Sequence, residues 1–381
     1  VKVVPFADVP RAAWEELCDA SPQAWLFHRA AWVEIESRRF VRENRSFALS
    51  AADRLVGVQP LYLSDDATGV SGETLLHSGI HRHAGLALRP GAEPSEIRAA
   101  RAAAMERIFA IAEAADADRI QLNVHNLAPE SLDLERPEIP FWVEEYGFEL
   151  GLAFTSYGML PAPGMTTCNS DQIINLEASE ERLLGRVTGS GRRSLRTADS
   201  LGLEFDSAQR PSTIDEYYAL AIRSAERTGE ILPPRGYYEE IWAAFAASGR
   251  CVVSFARLEG TPVAAVVLLL DKGGVSYLAG ASDPRYLRMC VNEFVIWRSV
   301  LWAKAAGARR FRLGPWFPTV EQDWAIARVS RFKKKFGGHA YSIIQGSLFR
   351  HPEKYRGAAE RHVGELCRAR DGSREARKAR V

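Results

Sequence analysis

Apolar residues three and four apart open the chain, in Trp14-Glu-Glu-Leu17, Trp25-Leu-Phe-His28 and Trp32-Val-Glu-Ile35, and this spacing predicts two short helices. The period then falls to the alternation of strands over 46–50 and 55–63, with Asp53-Arg54 as the hairpin turn between them. A strand over 73–80, a polar loop holding His81, Arg82 and His83, an alanine-rich helix over 95–115 with Pro94 at its start, and a strand over 119–124 follow. The same order returns later: a hairpin of 251–258 and 262–270 around Glu259-Gly260, a strand over 274–279, a helix over 292–306 and a strand over 309–313.

The two halves also share a local word. Ala115-Asp-Ala-Asp-Arg-Ile-Gln-Leu122 and Ala306-Gly-Ala-Arg-Arg-Phe-Arg-Leu313 each end a helix and begin a strand. One hairpin–strand–helix–strand unit used twice implies two related α/β domains joined near 161–169. Between them, the pattern predicts helices over 180–184 and 212–227, with room before residue 250 for two ordinary helices and no sustained heptads.

Charge and cysteine usage narrow the classes. Lys+Arg 49 against Asp+Glu 48 leaves almost no net charge, so any nucleic-acid affinity must come from a local patch. No apolar run reaches the ~20 residues of a membrane span, and no signal pattern opens the sequence, so the expected location is cytoplasmic. The five cysteines are scattered without C-x-x-C spacing, which argues against a disulfide framework and a zinc site. His77, His81 and His83 have no acidic or cysteine partner nearby, so no metal is expected, and His81 and His83 read as a substrate-facing loop.

Two basic stretches carry candidate chemistry. Arg186-Val-Thr-Gly189-Ser-Gly191 has the R-x-x-G-x-G form of a coenzyme A pyrophosphate cradle, but it follows a helical pattern where such a cradle follows a strand. Its neighbours Arg192, Arg193 and Arg196 alternatively form a positive face towards phosphates. The place where a cradle belongs, after the 274–279 strand, reads Ser282-Asp-Pro-Arg-Tyr-Leu-Arg-Met-Cys-Val-Asn292 without a glycine, and side chains there block close backbone approach. The second stretch, Arg331-Phe-Lys-Lys-Lys-Phe-Gly-Gly338, sets three cations between two apolar anchors before a glycine turn. By itself it fits either a solvated helix end or a site.

Taken together, the repeated units, the Gly57-Val-Gln-Pro-Leu61 strand, Arg192-Arg-Ser-Leu-Arg-Thr-Ala198 and the F-K-x-x-F-G-G word at 332–338 resemble the Fem-type (FemAB-like) peptidyltransferases of the GNAT-like acyltransferase superfamily, over roughly residues 20–350. The resemblance implies a mixed α/β (α+β) fold of two tandem GNAT-like domains with a cleft, spanning 1–165 and 166–350, followed by a basic helix or tail over 351–381. The missing heptads imply no coiled-coil arm. In that family an aminoacyl group passes from aminoacyl-tRNA to an amine, and a lysine of the carboxy-terminal motif stands at the reacting ester. By position in the motif this is Lys333. Attack on an ester places negative charge on the carbonyl oxygen, which a fixed ammonium stabilises. Lys334 and Lys335 are then expected to face nucleic acid or solvent, with Arg192, Arg193, Arg196 and Lys334 as the tRNA- or phosphate-binding set.

For the acceptor, the resemblance offers Arg227 and Tyr237, with an exposed helix arginine as the plain alternative for the former. Trp316, after the last strand of the second unit, lines an acyl pocket or stacks a base, or else is a core residue. Glu321 and Asp323 are conceivable proton acceptors, with no spacing that selects either. The expected partners are aminoacyl-tRNA and an amine-bearing acceptor, whether a peptidoglycan precursor, a natural-product intermediate or a sugar, and no tightly bound cofactor is expected. The alternatives are acyl-CoA-dependent N-acyl transfer and a non-catalytic protein that holds a nucleotide-linked ligand.

Overall fold

The computed structural model describes residues 1–66, 72–79, 83–133, 139–150, 170–316, 325–357 and 360. Three sheets organise them. A seven-stranded sheet in the second half runs in the order Leu203–Asp206, Cys251–Leu258, Thr261–Asp271, Gly274–Ser282, Arg310–Pro315, Ser170–Asn175, His339–Ser342. The first half holds a four-stranded sheet and a six-stranded one. In the latter, Thr74–His77 lies beside Arg119–Asn123.

The expected duplication is present in detail. In each half one parallel pair is hydrogen-bonded over three residues only: Leu75, Leu76 and His77 against Arg119, Ile120 and Gln121, then Gly274, Val275 and Ser276 against Arg310, Phe311 and Arg312. In the second half the strands run on to Ser282 and Pro315 without further pairing to each other, which opens a notch between their carboxyl ends. Both crossover helices, Pro94–Ala114 and Val291–Ala305, end alike. Asp116 and Gly307 take positive φ (47° and 84°), and the amides of Ala117 and Ala308 reach back to the carbonyls of Ala112 and Ala303 at 2.9 and 3.0 Å. This 6→1 bond is the Schellman cap, and it explains why the shared word recurs.

Two expectations change. The strand read over 55–63 is two strands, because Pro60 has no N–H to donate: Arg54–Gln59 stays in the four-stranded sheet and Tyr62–Asp65 joins the six-stranded one. The chain also crosses back, since Gln345–Phe349 pairs antiparallel with Arg119–Asn123 and completes the first-half sheet. Two helices, Thr213–Thr228 and Arg235–Phe245, fill the stretch where a coiled-coil arm would stand.

The halves are fused by a common core. Trp25, Phe27 and Trp32 of the first half pack with Phe255, Val267 and Leu269 of the seven-stranded sheet and with both inserted helices. A buried ion pair locks this junction: Arg29 Nε and Nη2 donate to Asp271 Oδ2 and Oδ1 at 2.9 and 3.0 Å. Trp25 Nε1 donates to the Asp271 carbonyl at 2.9 Å. Lys272, in the adjoining turn, donates to the carbonyls of Cys18 and Ser21.

Candidate active site

The two basic stretches, about 140 residues apart in sequence, meet in space. Phe332, in the last turn of helix Ala325–Lys334, and Phe336, just past its end, set their rings edge-on at 5.4 Å. Phe336 is fully buried with Ile174, Leu195 and Phe311. At Gly337 φ is +74°, and an added Cβ would lie 2.6 Å from the Arg186 carbonyl carbon. The turn thus presses directly on the start of the arginine segment, where the Thr188 amide donates to the Lys335 carbonyl at 3.0 Å. Replacing Gly337 by alanine is accordingly expected to destabilise the fold by more than ~1 kcal/mol, read as a lower urea midpoint.

This packing settles the R-x-x-G-x-G segment. Thr188 caps helix Gly189–Asp199 by accepting the Gly191 amide at 3.1 Å, and Arg192 donates to the carbonyls of Gly185 and Val187. The amides of Thr188 and Gly191 are therefore engaged within the protein, and the segment is a helix start packed on a turn instead of a cradle. Arg193 and Arg196 are exposed on the same helix as Arg192, and Lys334 is exposed on the adjoining one.

Within the lysine run the three ammonium groups diverge. Lys333 Nζ donates to the Pro315 carbonyl at 3.0 Å. It lies 3.3 Å from where a Cβ on Gly314 would stand, so the bare glycine, at φ +90°, makes room for it. Lys333 is half-buried there, at the mouth of the notch. Lys335, expected to face nucleic acid or solvent, instead pairs with Glu293 at 2.7 Å and lies over the Phe332 ring. A partly buried ammonium needs a counter-charge, and Glu293 in the first turn of Val291–Ala305 supplies it.

Deeper in the notch stands a polar group that no local sequence pattern singles out. Arg312 Nε donates to Asp171 Oδ2 at 2.7 Å and Nη1 to Ser276 Oγ at 3.3 Å. Asn126, from the first half, donates to the same Asp171 oxygen at 2.6 Å. His125 stacks on Trp25 with centroids 4.5 Å apart. Burial above all, and then the Arg312 charge, hold its pKa well below the ordinary histidine value, so it stays neutral. Arg310-Phe-Arg-Leu313 does alternate arginine with core residues on a strand buried over its four central positions, but that alternation marks neither arginine as functional. The partner of Arg312, Asp171, is 141 residues away, beyond the reach of any local pattern.

The remaining expected residues scatter. Trp316 is half-buried beside Lys333, its amide on the Ser170 carbonyl at 2.9 Å. His83 is buried near His125. His81, Glu321 and Asp323 lie outside the described residues. Arg227 is exposed in the last turn of Thr213–Thr228. Tyr237 is only 1% exposed, its ring packed on Phe40 and Tyr238, so it serves the shared core instead of offering a surface to an acceptor. After strand Gly274–Ser282, where a pyrophosphate loop would sit, the Asp283 carboxylate accepts the Arg285 amide at 3.0 Å and the Arg285 and Arg223 side chains. Hydrogen bonds from Arg285 bring its pKa down to about 2. No cluster of metal-ligating side chains occurs among the described residues, and no helix among them is long and apolar enough to cross a membrane.

A duplicated α/β unit with a notch between two parallel strands defines the fold class: the chain is built from two tandem GNAT-like units. Residues 186–333 match the acetyltransferase (GNAT) domain family. The fold is similar to that of FemX, at 13% identity and a TM-score of 0.67, over 93% of this chain and 99% of that one. L-PGS from Bacillus licheniformis has the same fold at 10% identity and a TM-score of 0.53, covering 91% and 94% of the two chains. No curated protein sequence matches the chain.

Proposed function

We propose that the protein transfers an aminoacyl group from aminoacyl-tRNA to an amine, forming an amide. The amine nitrogen attacks the ester carbonyl carbon, the ester C–O bond breaks, the terminal ribose hydroxyl leaves with a proton, and the Lys333 ammonium stabilises the charge that builds on the carbonyl oxygen. The observation that carries this reading is the place of Lys333: at the mouth of the notch, on a helix packed against the one that exposes Arg192, Arg193 and Arg196. With Lys334, those arginines provide the local positive surface that a chain of nearly zero net charge needs to hold a nucleic acid. The fold shared with FemX supports it, as does the resemblance of the F-K-x-x-F-G-G word to the Fem-type enzymes. Asp283 supports it too, because a carboxylate already holds the backbone amide where a pyrophosphate would bind.

A second reading, N-acyl transfer from an acyl-CoA, is favoured by the acetyltransferase (GNAT) domain match over 186–333. Incubation with charged tRNA in one arm and acyl-CoA in the other, each with an amine acceptor, separates them. Enzyme-dependent loss of the tRNA ester is expected, and consumption of acyl-CoA alone would overturn the proposal. Replacing Arg192, Arg193 and Arg196 together by glutamate should weaken tRNA binding and lower the slope of log K against log salt by about 0.9 for each phosphate that is no longer neutralised. All three are exposed, and the structural cost should lie mainly in the two hydrogen bonds from Arg192 to the Gly185 and Val187 carbonyls, which thermal melting checks.

A further inference from the structure

The Arg312–Asp171 pair asks for an explanation beyond stability. Arg312 lies at the last position of the parallel ladder, opposite Ser276, at the apex of the notch, and Asp171 reaches it from the strand on its other side. In the first-half ladder the same last position holds Gln121 against His77. The fold therefore accepts a neutral residue there, whereas the second half buries a guanidinium (Arg312, 7% exposed) on a carboxylate (Asp171, 1% exposed). A buried ion pair seldom stabilises more than apolar side chains of equal size would.

The pair is also incompletely satisfied. Asp171 Oδ2 takes both Arg312 Nε and Asn126 Nδ2, while Asp171 Oδ1 is buried with no hydrogen-bond partner. Among the described residues, Arg312 donates only from Nε and Nη1, and its Nη2, unlike Asp171 Oδ1, is not fully buried and is open to an incoming acceptor. One open donor and one open acceptor on a single ion pair are complementary to a carboxamide, whose oxygen accepts and whose N–H donates. A carboxylate would meet the bare Asp171 oxygen with like charge, and an apolar group would leave both atoms unpaired. His125, held neutral beside Arg312, adds no charge that would alter this preference.

We propose that the notch apex, through Arg312 and Asp171, reads a primary carboxamide on the transferred acyl group, of the kind carried by glutaminyl or asparaginyl side chains. This rests on the acyl-transfer reading above and names the side chain it selects. Lys333 sits by Gly314, two residues further along the same strand, or about 7 Å at the rise of an extended chain. A carbonyl held at Lys333 thus places a side chain of three or four bonds at the apex.

The test is an equilibrium one, independent of the donor. L-Glutamine methyl ester, L-glutamate α-methyl ester and L-methionine methyl ester are titrated into the full chain by calorimetry. The glutamine ester should bind at least about tenfold more tightly than either other ester, since a site built to hydrogen-bond rejects analogues that leave its polar groups unpaired. The double variant Arg312→Met/Asp171→Leu, which replaces the pair by apolar side chains of similar size, should keep or raise the melting temperature and lose that preference. Equal affinities in the wild type, tighter binding of the glutamate ester, no binding of the glutamine ester, or a preference that survives the double substitution would each overturn the proposal. Should the variant not fold, the wild-type ranking decides. A glutamine preference in a protein that ignores charged tRNA would sink the tRNA donor while leaving the carboxamide pocket standing.

Discussion

Lys333→Ala should lower the rate of amide formation by about 10²-fold or more while leaving the melting temperature unchanged, because removal of one preorganised donor from a developing oxyanion typically costs that much. The lysine is well suited to a separable test. Its stem leaves a helix whose packing depends on Phe332 and Phe336, and its ammonium makes a hydrogen bond to the Pro315 carbonyl that water can replace in the variant. Lys335→Ala is the contrast. It breaks the pair with Glu293, so its effect should fall on stability, with the rate changing less than for Lys333→Ala. Comparison of kcat and melting temperature across the two variants reads this directly. A Lys333→Ala enzyme within about threefold of wild type, far short of the loss expected for such a donor, would remove the lysine from the chemistry.

The second large effect is structural. Asp271→Ala should destabilise the protein by about 3–5 kcal/mol, since it strips the bidentate partner from Arg29 and leaves a buried guanidinium. Arg29 keeps Glu15 and Asp19, each at 2.9 Å, which sets the expectation towards the lower end of that range. Because the pair ties the first half to the sheet of the second, its loss should also loosen the shared core around Trp25 and Trp32. Urea unfolding followed by tryptophan fluorescence measures both effects. A lower midpoint at unchanged slope means lost stability alone, whereas a changed slope means that the halves no longer unfold together.

Much of this architecture is written locally. The two helix-to-strand words of the halves end in the same cap because an αL residue, Asp116 or Gly307, is followed by an alanine whose amide reaches back into the last turn. That is a short-range device, and a sequence shows it. The break at Pro60 was legible in principle, since a residue without an N–H seldom continues a ladder, but the alternation on both sides masked it. The return of Gln345–Phe349 to the first-half sheet was not legible, because its five residues carry no mark of which sheet they will join.

The same division runs through the site. The stretch around Lys333 stands out because two aromatic anchors and a glycine turn are contiguous with its lysines, and the resemblance to the Fem-type enzymes then selects Lys333 among them. Arg312 could not be singled out, because its meaning depends on Asp171 and Asn126, which come from another strand and the other half of the chain. Tyr237 was offered for the acceptor by the resemblance, and tertiary packing against Phe40 buries it.

Transfer of label from an aminoacyl-tRNA carrying a radioactive amino acid to an amine acceptor tests the central claim most directly, because an amide survives mild alkali and the starting ester does not. Alkali-stable label that depends on both acceptor and enzyme, and that falls about 10²-fold with Lys333→Ala, is the predicted result. Label that stays on the tRNA, in a preparation that consumes acyl-CoA with the same acceptor, would contradict it.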